Sequence, residues 1–194
     1  MVEALNPRSA LESAYTPGPF GAVGDVPGVE LAERRNVSLV HVECRDDDAE
    51  SVLKLADTLG TALPAAGKAA EKDGRRVLWL GPARWLATGK TIPDLATAAP
   101  GAAINDVSSA KTVIRISGPA SRDVLASGCP LDLDPDVFKP AMAATSLIGH
   151  YTVLIDCIDA DTFDLYVARG YGLSFWQWLT ACAAEFGGVV KDPV

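Results

Sequence analysis

The chain has 194 residues, 48% of them hydrophobic and 22% charged, with a formal net charge of −8 and a pI near 4.7. That is globular composition, long enough for one generous domain or two small ones, and its acidic balance excludes an electrostatic footprint for nucleic acid or an anionic membrane. No apolar run approaches the ~20 residues that cross a bilayer, and the opening MVEALNPRSALESAY lacks the basic and apolar regions of a secretory signal, so a cytoplasmic protein is expected.

Residues 1–30 hold Pro7, Pro17, Pro19 and Pro27 with Gly18, Gly21, Gly24 and Gly28. Prolines remove donors and glycines loosen the backbone, so this segment is expected to be an extended arm, anchored by Leu5, Leu11, Tyr15, Phe20 and Val23. One α+β domain is expected over residues 31–190. Ser38 to Cys44 alternates as a strand. Asp46, Asp47 and Asp48 favour a helix start, Val52, Leu55, Ala56 and Leu59 share a helical face, and Gly60 ends it. Residues 61–74 read as a loop or weak helix.

Arg76 to Leu80 is the next expected strand, followed at Gly81-Pro82 by a helix carrying Trp85 and Leu86. A short helix is expected within Thr91 to Pro100. Ala103 to Val107 and Lys111 to Ser117 read as strands joined by a Ser108-Ser109 turn. Gly118-Pro119 opens a helix ending near Gly128, and Cys129 to Pro140 is a loop. Ala143 to Gly149, Tyr151 to Ile158 and Phe163 to Ala168 form an expected antiparallel run, turning at Asp159-Ala160-Asp161. The closing helix, about Leu173 to Phe186, places Phe175, Leu179, Cys182 and Phe186 on one face. From Arg76 onward the order strand, helix, strand, strand, helix, strand has the ferredoxin-like βαββαβ form. It predicts an α+β layer, an antiparallel sheet with helices on one side.

Two stretches resemble each other: VLWLGPARWLATG (Val77 to Gly89) and VIRISGPASRDVLASG (Val113 to Gly128). Each reads as a strand, a Gly-Pro corner and a helix, a weak internal repeat. A phosphate cradle needs several free N–H groups. Proline removes one, and neither GxxxxGK[ST] nor GxGxxG occurs, so the corners are read as packing features.

The residues show no catalytic set. Cys44, Cys129, Cys157 and Cys182 are far apart and are read as reduced thiols. His41 and His150 lack the close ligand spacing of zinc sites and any GxSxG nucleophile elbow. Asp156, Asp159, Asp161 and Asp164 are read as a solvated acidic hairpin. Arg115, Arg122 and Arg169 either pair with a partner's carboxylates or are solvated. Trp176 and Trp178 widen the apolar face of the last helix, which either packs in its own domain or meets a partner.

The stretches NDVSSAKTVIRISGPASRDVLASGCPLDLDPDVF and TFDLYVARGYGLSFWQWL, with WLGPARWL upstream, resemble the gamma subunit of heterotetrameric sarcosine oxidase over about Arg76 to Phe186. The resemblance implies a fold similar to part of the folate-dependent aminomethyltransferases. It implies an accessory subunit packed on alpha in a complex with alpha, beta and delta subunits, which oxidises sarcosine to glycine. The other products are hydrogen peroxide and formaldehyde, or 5,10-methylenetetrahydrofolate when tetrahydrofolate is co-substrate. FAD, FMN, NAD and zinc are then expected in the other subunits, and no catalytic, cofactor or metal residue is assigned here. The candidate interface residues are Tyr15, Phe20, Trp176 and Trp178. The alternatives are the equivalent subunit of N-methylglutamate dehydrogenase and a free-standing folate-binding one-carbon transferase.

Overall fold

The computed structural model describes residues 8–22, 26–45 and 47–194. Leu5, Pro7, Val23, Gly24 and Asp46, singled out above, lie outside the described residues.

Twelve described strands form two sheets. In chain order, β1 is Gly18–Phe20, β2 Val29–Glu33, β3 Ser38–Glu43, β4 Ala69–Lys72, β5 Arg75–Gly81, β6 Arg84–Gly89 and β7 Ala103–Asp106. They are followed by β8 Lys111–Ser117, β9 Ala143–Ile148, β10 Tyr151–Asp159, β11 Thr162–Ala168 and β12 Gly188–Val190. The helices are α1 Ala49–Leu59, α2 Leu95–Ala98, α3 Ser121–Ala126 and α4 Gly172–Ala183. The larger sheet runs β1-β12-β2-β8-β11-β10-β9 and the smaller β4-β5-β6-β3-β7. Every described pairing is antiparallel except β12 with β2.

The side-chain period of two gives each strand two distinct faces. On the larger sheet, Ile114, Ile116, Val153, Ile155, Phe163 and Leu165 meet α3 and α4 through Val124, Leu125, Phe175 and Leu179. The opposite face presents Val113, Leu154 and Tyr166 to Leu39, Leu78 and Leu86 of the smaller sheet. The far face of the smaller sheet packs Val42, Val77, Trp85 and Ala87 against Leu55 and Leu59 of α1 and Leu95 of α2. The chain is thus an α+β stack of helices, sheet, sheet and helices, with each sheet covered by helices on one side only.

α1 begins where Asp48 accepts a hydrogen bond from Ser51 N at 3.0 Å and ends at Gly60, φ 75°. The arm does not stand apart from the rest. β1 and β2 are strands of the larger sheet, and β2 crosses the expected boundary at residue 30. β4 occupies part of the expected loop at 61–74. β7 and β8, expected as neighbours, fall in different sheets, so Ser108-Ser109 is a crossing between sheets rather than a hairpin turn.

The repeat at the Gly-Pro corners is not structural. After Gly118, α3 forms as expected. After Gly81 the chain turns directly into β6, which pairs with β5 through Gly81↔Arg84 and Trp79↔Trp85. No helix carries Trp85 and Leu86. β6 is buried on both faces, Trp85 and Ala87 against α1 and α2, Leu86 and Thr88 against the other sheet. Two-sided burial erases the alternation that marks a half-exposed strand.

The Gly118 corner has no free donors to offer an anion. Gly118 N donates to Asp161 O at 3.0 Å, Ala120 N to Gly28 O at 3.0 Å and Ser121 N back to Gly118 O at 3.0 Å.

Candidate subunit interface and the charged layer between the sheets

The four candidate interface residues do not form one patch. Tyr15 follows a short turn of the arm and lays its ring on Trp176, with centroids 5.1 Å apart. Its hydroxyl accepts from Glu33 N at 2.9 Å and donates to Lys191 O at 2.6 Å. Burial pushes the Tyr15 phenol above its usual range. Trp176 is only 3% exposed and belongs to the main core. Phe20 packs under Gly188 of β12, where a Cβ would collide with its ring. Trp178 points elsewhere, stacking on Phe175 at 6.1 Å and covering Gly128 and Gly149.

Phe20 and Trp176 nonetheless meet along one shallow groove of about 440 Å³, between the arm and α4, lined also by Ala14, Gln177, Ala181 and Val190. Both tryptophans are held by their own domain, which is the first of the two readings left open for them. Tyr15, Phe20 and Trp178 are partly buried, so part of each side chain stays exposed.

The acidic hairpin is not uniformly solvated. Asp159 and Asp161 are exposed at the turn, but Asp156 and Asp164 are completely buried. They face each other across β10 and β11, and Arg115 stands opposite Asp164 on β8. Alternation puts all three on the face turned toward the smaller sheet. Burying like charges side by side is unfavourable unless each is paired, and here each is. Arg115 contacts Asp164 in fork geometry at 2.7 and 2.9 Å, and Arg34 reaches the same carboxylate at 2.5 Å. Arg76, from β5 of the other sheet, contacts Asp156 at 2.7 and 2.6 Å and Glu71 at 2.7 Å. Burial holds the Asp156 carboxyl above the usual carboxylate range, against the opposing pull of Arg76. Tyr166, buried beside this layer, has its phenol pushed far above 10 by the same cause.

The other arginines also pair within the chain. Arg122 lies over the Phe163 ring at 5.0 Å and donates to the carbonyls of Ala160 and Phe138 at 2.9 and 3.1 Å, and to Leu133 O. Arg169 donates to Arg8 O. Cys44, Cys129 and Cys157 are buried, and Cys182 is partly buried. Burial pushes the Cys44 and Cys157 thiols up, away from thiolate chemistry. His41 lies mid-strand on β3 and His150 in the β9–β10 turn. Among the described residues no three His, Cys, Asp or Glu side chains gather as a metal site, and no described helix is long and apolar enough to cross a membrane. Sequence reasoning missed the ion pairs buried between the sheets. The available signal was Asp156 and Asp164 at alternating positions inside otherwise apolar strands.

This two-sheet architecture is similar in fold to part of an aminomethyltransferase. The aminomethyltransferase T of the glycine cleavage system from Bartonella henselae superposes with a TM-score of 0.62 at 14% identity, over 86% of this chain and 48% of that one. A chain of the heterotetrameric sarcosine oxidase from Corynebacterium sp. U-96, in complex with pyrrole 2-carboxylate, superposes with a TM-score of 0.81 at 25% identity. That match covers 93% of this chain and 96% of the other. The sarcosine oxidase gamma subunit family model matches residues 45–185. The sarcosine oxidase subunit gamma of Corynebacterium sp. strain P-1 is 30% identical over 149 residues, covering 72% of this chain and 71% of its own length. The Arthrobacter sp. subunit gamma is 38% identical over 110 residues, covering 52% of this chain and 54% of its own length. The chain belongs to the sarcosine oxidase gamma subunit family.

Proposed function

We propose that this chain is the accessory gamma subunit of a heterotetrameric sarcosine oxidase and supports assembly without taking part in the chemistry. The observation that carries the reading is the superposition on a chain of that heterotetrameric enzyme along nearly the full length of both. The reaction of the complex is oxidation of the N-methyl group of sarcosine by two electrons. Oxygen is reduced to hydrogen peroxide, and water releases glycine and formaldehyde, or tetrahydrofolate takes the one-carbon unit. In this reading FAD, FMN, NAD and zinc belong to the other subunits. A non-catalytic role is supported by cysteine thiols raised by burial and by carboxylates committed to arginine. The groove between the arm and α4 is the proposed contact with alpha, because it is shallow, largely apolar and flanked by Phe20 and Trp176.

The test is affinity capture of this chain from its native cells, followed by mass spectrometry, absorption spectroscopy and turnover assays. Three further chains, a flavin spectrum and sarcosine-dependent peroxide are expected. Preference for N-methylglutamate with no peroxide would instead indicate the related dehydrogenase. Capture of a colourless single chain would overturn the proposal.

A further inference from the structure

The connections β2–β3 and β7–β8 lie at one end of the two sheets and, with Arg169 just past β11, line a half-open cavity of about 250 Å³. Its basic lining residues are Arg8, Arg34, Arg35, Lys111 and Arg169, and its one carboxylate is Glu33. In a chain with 25 acidic and 17 basic residues, so many cations around one cavity run against the overall charge. Carboxylates meet only three of the five, and Arg8 lies 4.0 Å from Glu12. Glu33 is taken by Arg35 at 2.6 Å and by the Ser9 hydroxyl. Asp164 is shared by Arg34 and Arg115. Lys111 and Arg169 form no ion pair among the described residues. Within the cavity lining, the Arg34 Nε is buried and has no hydrogen-bond partner among the described residues. An unsatisfied buried donor is costly, and an arginine fork suits an oxyanion.

We propose that this cavity binds a small oxyanion, a carboxylate or a phosphate. Lys111 and Arg169 hold it, Arg34 adds its charge from beneath, and Val37, Leu39 and Val113 wall it on the apolar side. The volume lies below the ~300–1,000 Å³ of pockets for drug-sized ligands, so the ligand is a small metabolite-sized anion. The site goes beyond the accessory role proposed above and stands or falls without it.

The test is titration calorimetry on the full chain at low ionic strength, with inorganic phosphate and succinate as separate probes. Saturable one-to-one binding of at least one probe is expected, and the tighter probe identifies the anion class. The K111Q/R169Q variant is expected to bind about tenfold more weakly through loss of charge-assisted contacts. The K68Q/K139Q variant, with the same charge change on exposed residues outside the cavity lining, is expected to bind like the parent. K111Q alone leaves the Arg169 contact to the arm intact and reports the same direction if the double variant folds poorly. Absence of saturable binding by both probes, or equal weakening in K68Q/K139Q, would overturn the proposal.

Discussion

Arg76 and Asp156 belong to different sheets and are joined by two hydrogen bonds, Nε to Oδ2 at 2.7 Å and Nη2 to Oδ1 at 2.6 Å. The pair crosses a layer otherwise closed by Leu39, Leu78, Leu154 and Tyr166. It is one polar tie between the sheets, beside the Lys68↔Met142 backbone bridge and the apolar contacts.

Removing one partner leaves a buried charge behind. Arg76→Ala is expected to cost about 3–5 kcal/mol, whereas replacing both partners by apolar residues of similar volume, R76M/D156L, is expected to recover most of that loss. Urea unfolding of the three proteins measures this. A double variant as unstable as R76A would show that the pair contributes more than mutual neutralisation.

Acid acts on two kinds of carboxylate with opposite signs. Asp94 caps α2, accepting from Thr97 Oγ1 at 2.5 Å and from Thr97 N at 3.0 Å. The Thr97 hydroxyl is the chief reason its carboxyl lies below the ordinary 3.8. Its contribution is present above 3.8 and is lost as pH falls through the lower folded value. The stability difference between parent and D94A should therefore shrink in that acid window. Asp156, raised by burial, binds its proton above 3.8 in the folded state, so its contribution becomes more favourable as pH falls toward 3.8. Unfolding at a series of pH values, with D94A and with R76M/D156L, separates the two.

Trp178 tests how firmly the last helix is held by its own domain. A Cβ on Gly128 would lie 2.5 Å from Trp178 Cζ2 and 2.8 Å from Gly149 N. Gly128→Ala is expected to destabilise by about 1–3 kcal/mol through overpacking. Part of the clash is with backbone, so W178L is expected to relieve only part of it. Complete relief in thermal melts would mean that Gly149 moves freely.

The two Gly-Pro corners make a paired prediction. Gly118 has φ 110°, and a Cβ there would meet Gly28 O at 2.7 Å. In the upstream corner the left-handed residue is Ala83, φ 50°. G118A is expected to destabilise. A83G is expected to be neutral or stabilising, since a left-handed Ala costs about 1–2 kcal/mol. Melting temperatures of both variants check this, and equal losses would contradict it.

These corners also show how far the sequence was legible. α1, α3, α4 and the β9–β10–β11 run follow from caps, period and turn residues. The Val77–Gly89 segment does not, because local residues shared with Val113–Gly128 are outvoted by burial between two layers. β1 and β12 were hidden for another reason. Each has three residues, and each gains its pairing from a distant segment. At the candidate interface, Tyr15 and Phe20 were legible as anchors of the arm. That they anchor on this chain's own Trp176 and Gly188 depends on contacts far apart in sequence. The buried Asp156 and Asp164 were misread as surface residues because their arginine partners come from other strands, and for Asp156 from the other sheet.

The most direct test of the accessory role is subunit omission. The remaining subunits of the complex are produced with and without this chain, and assembly mass and sarcosine-dependent peroxide per bound flavin are measured. The account predicts that omission weakens assembly, while material that still assembles keeps its turnover per flavin. Full assembly with turnover lost, and restored by adding this chain, would contradict it and assign the chain a part in the chemistry.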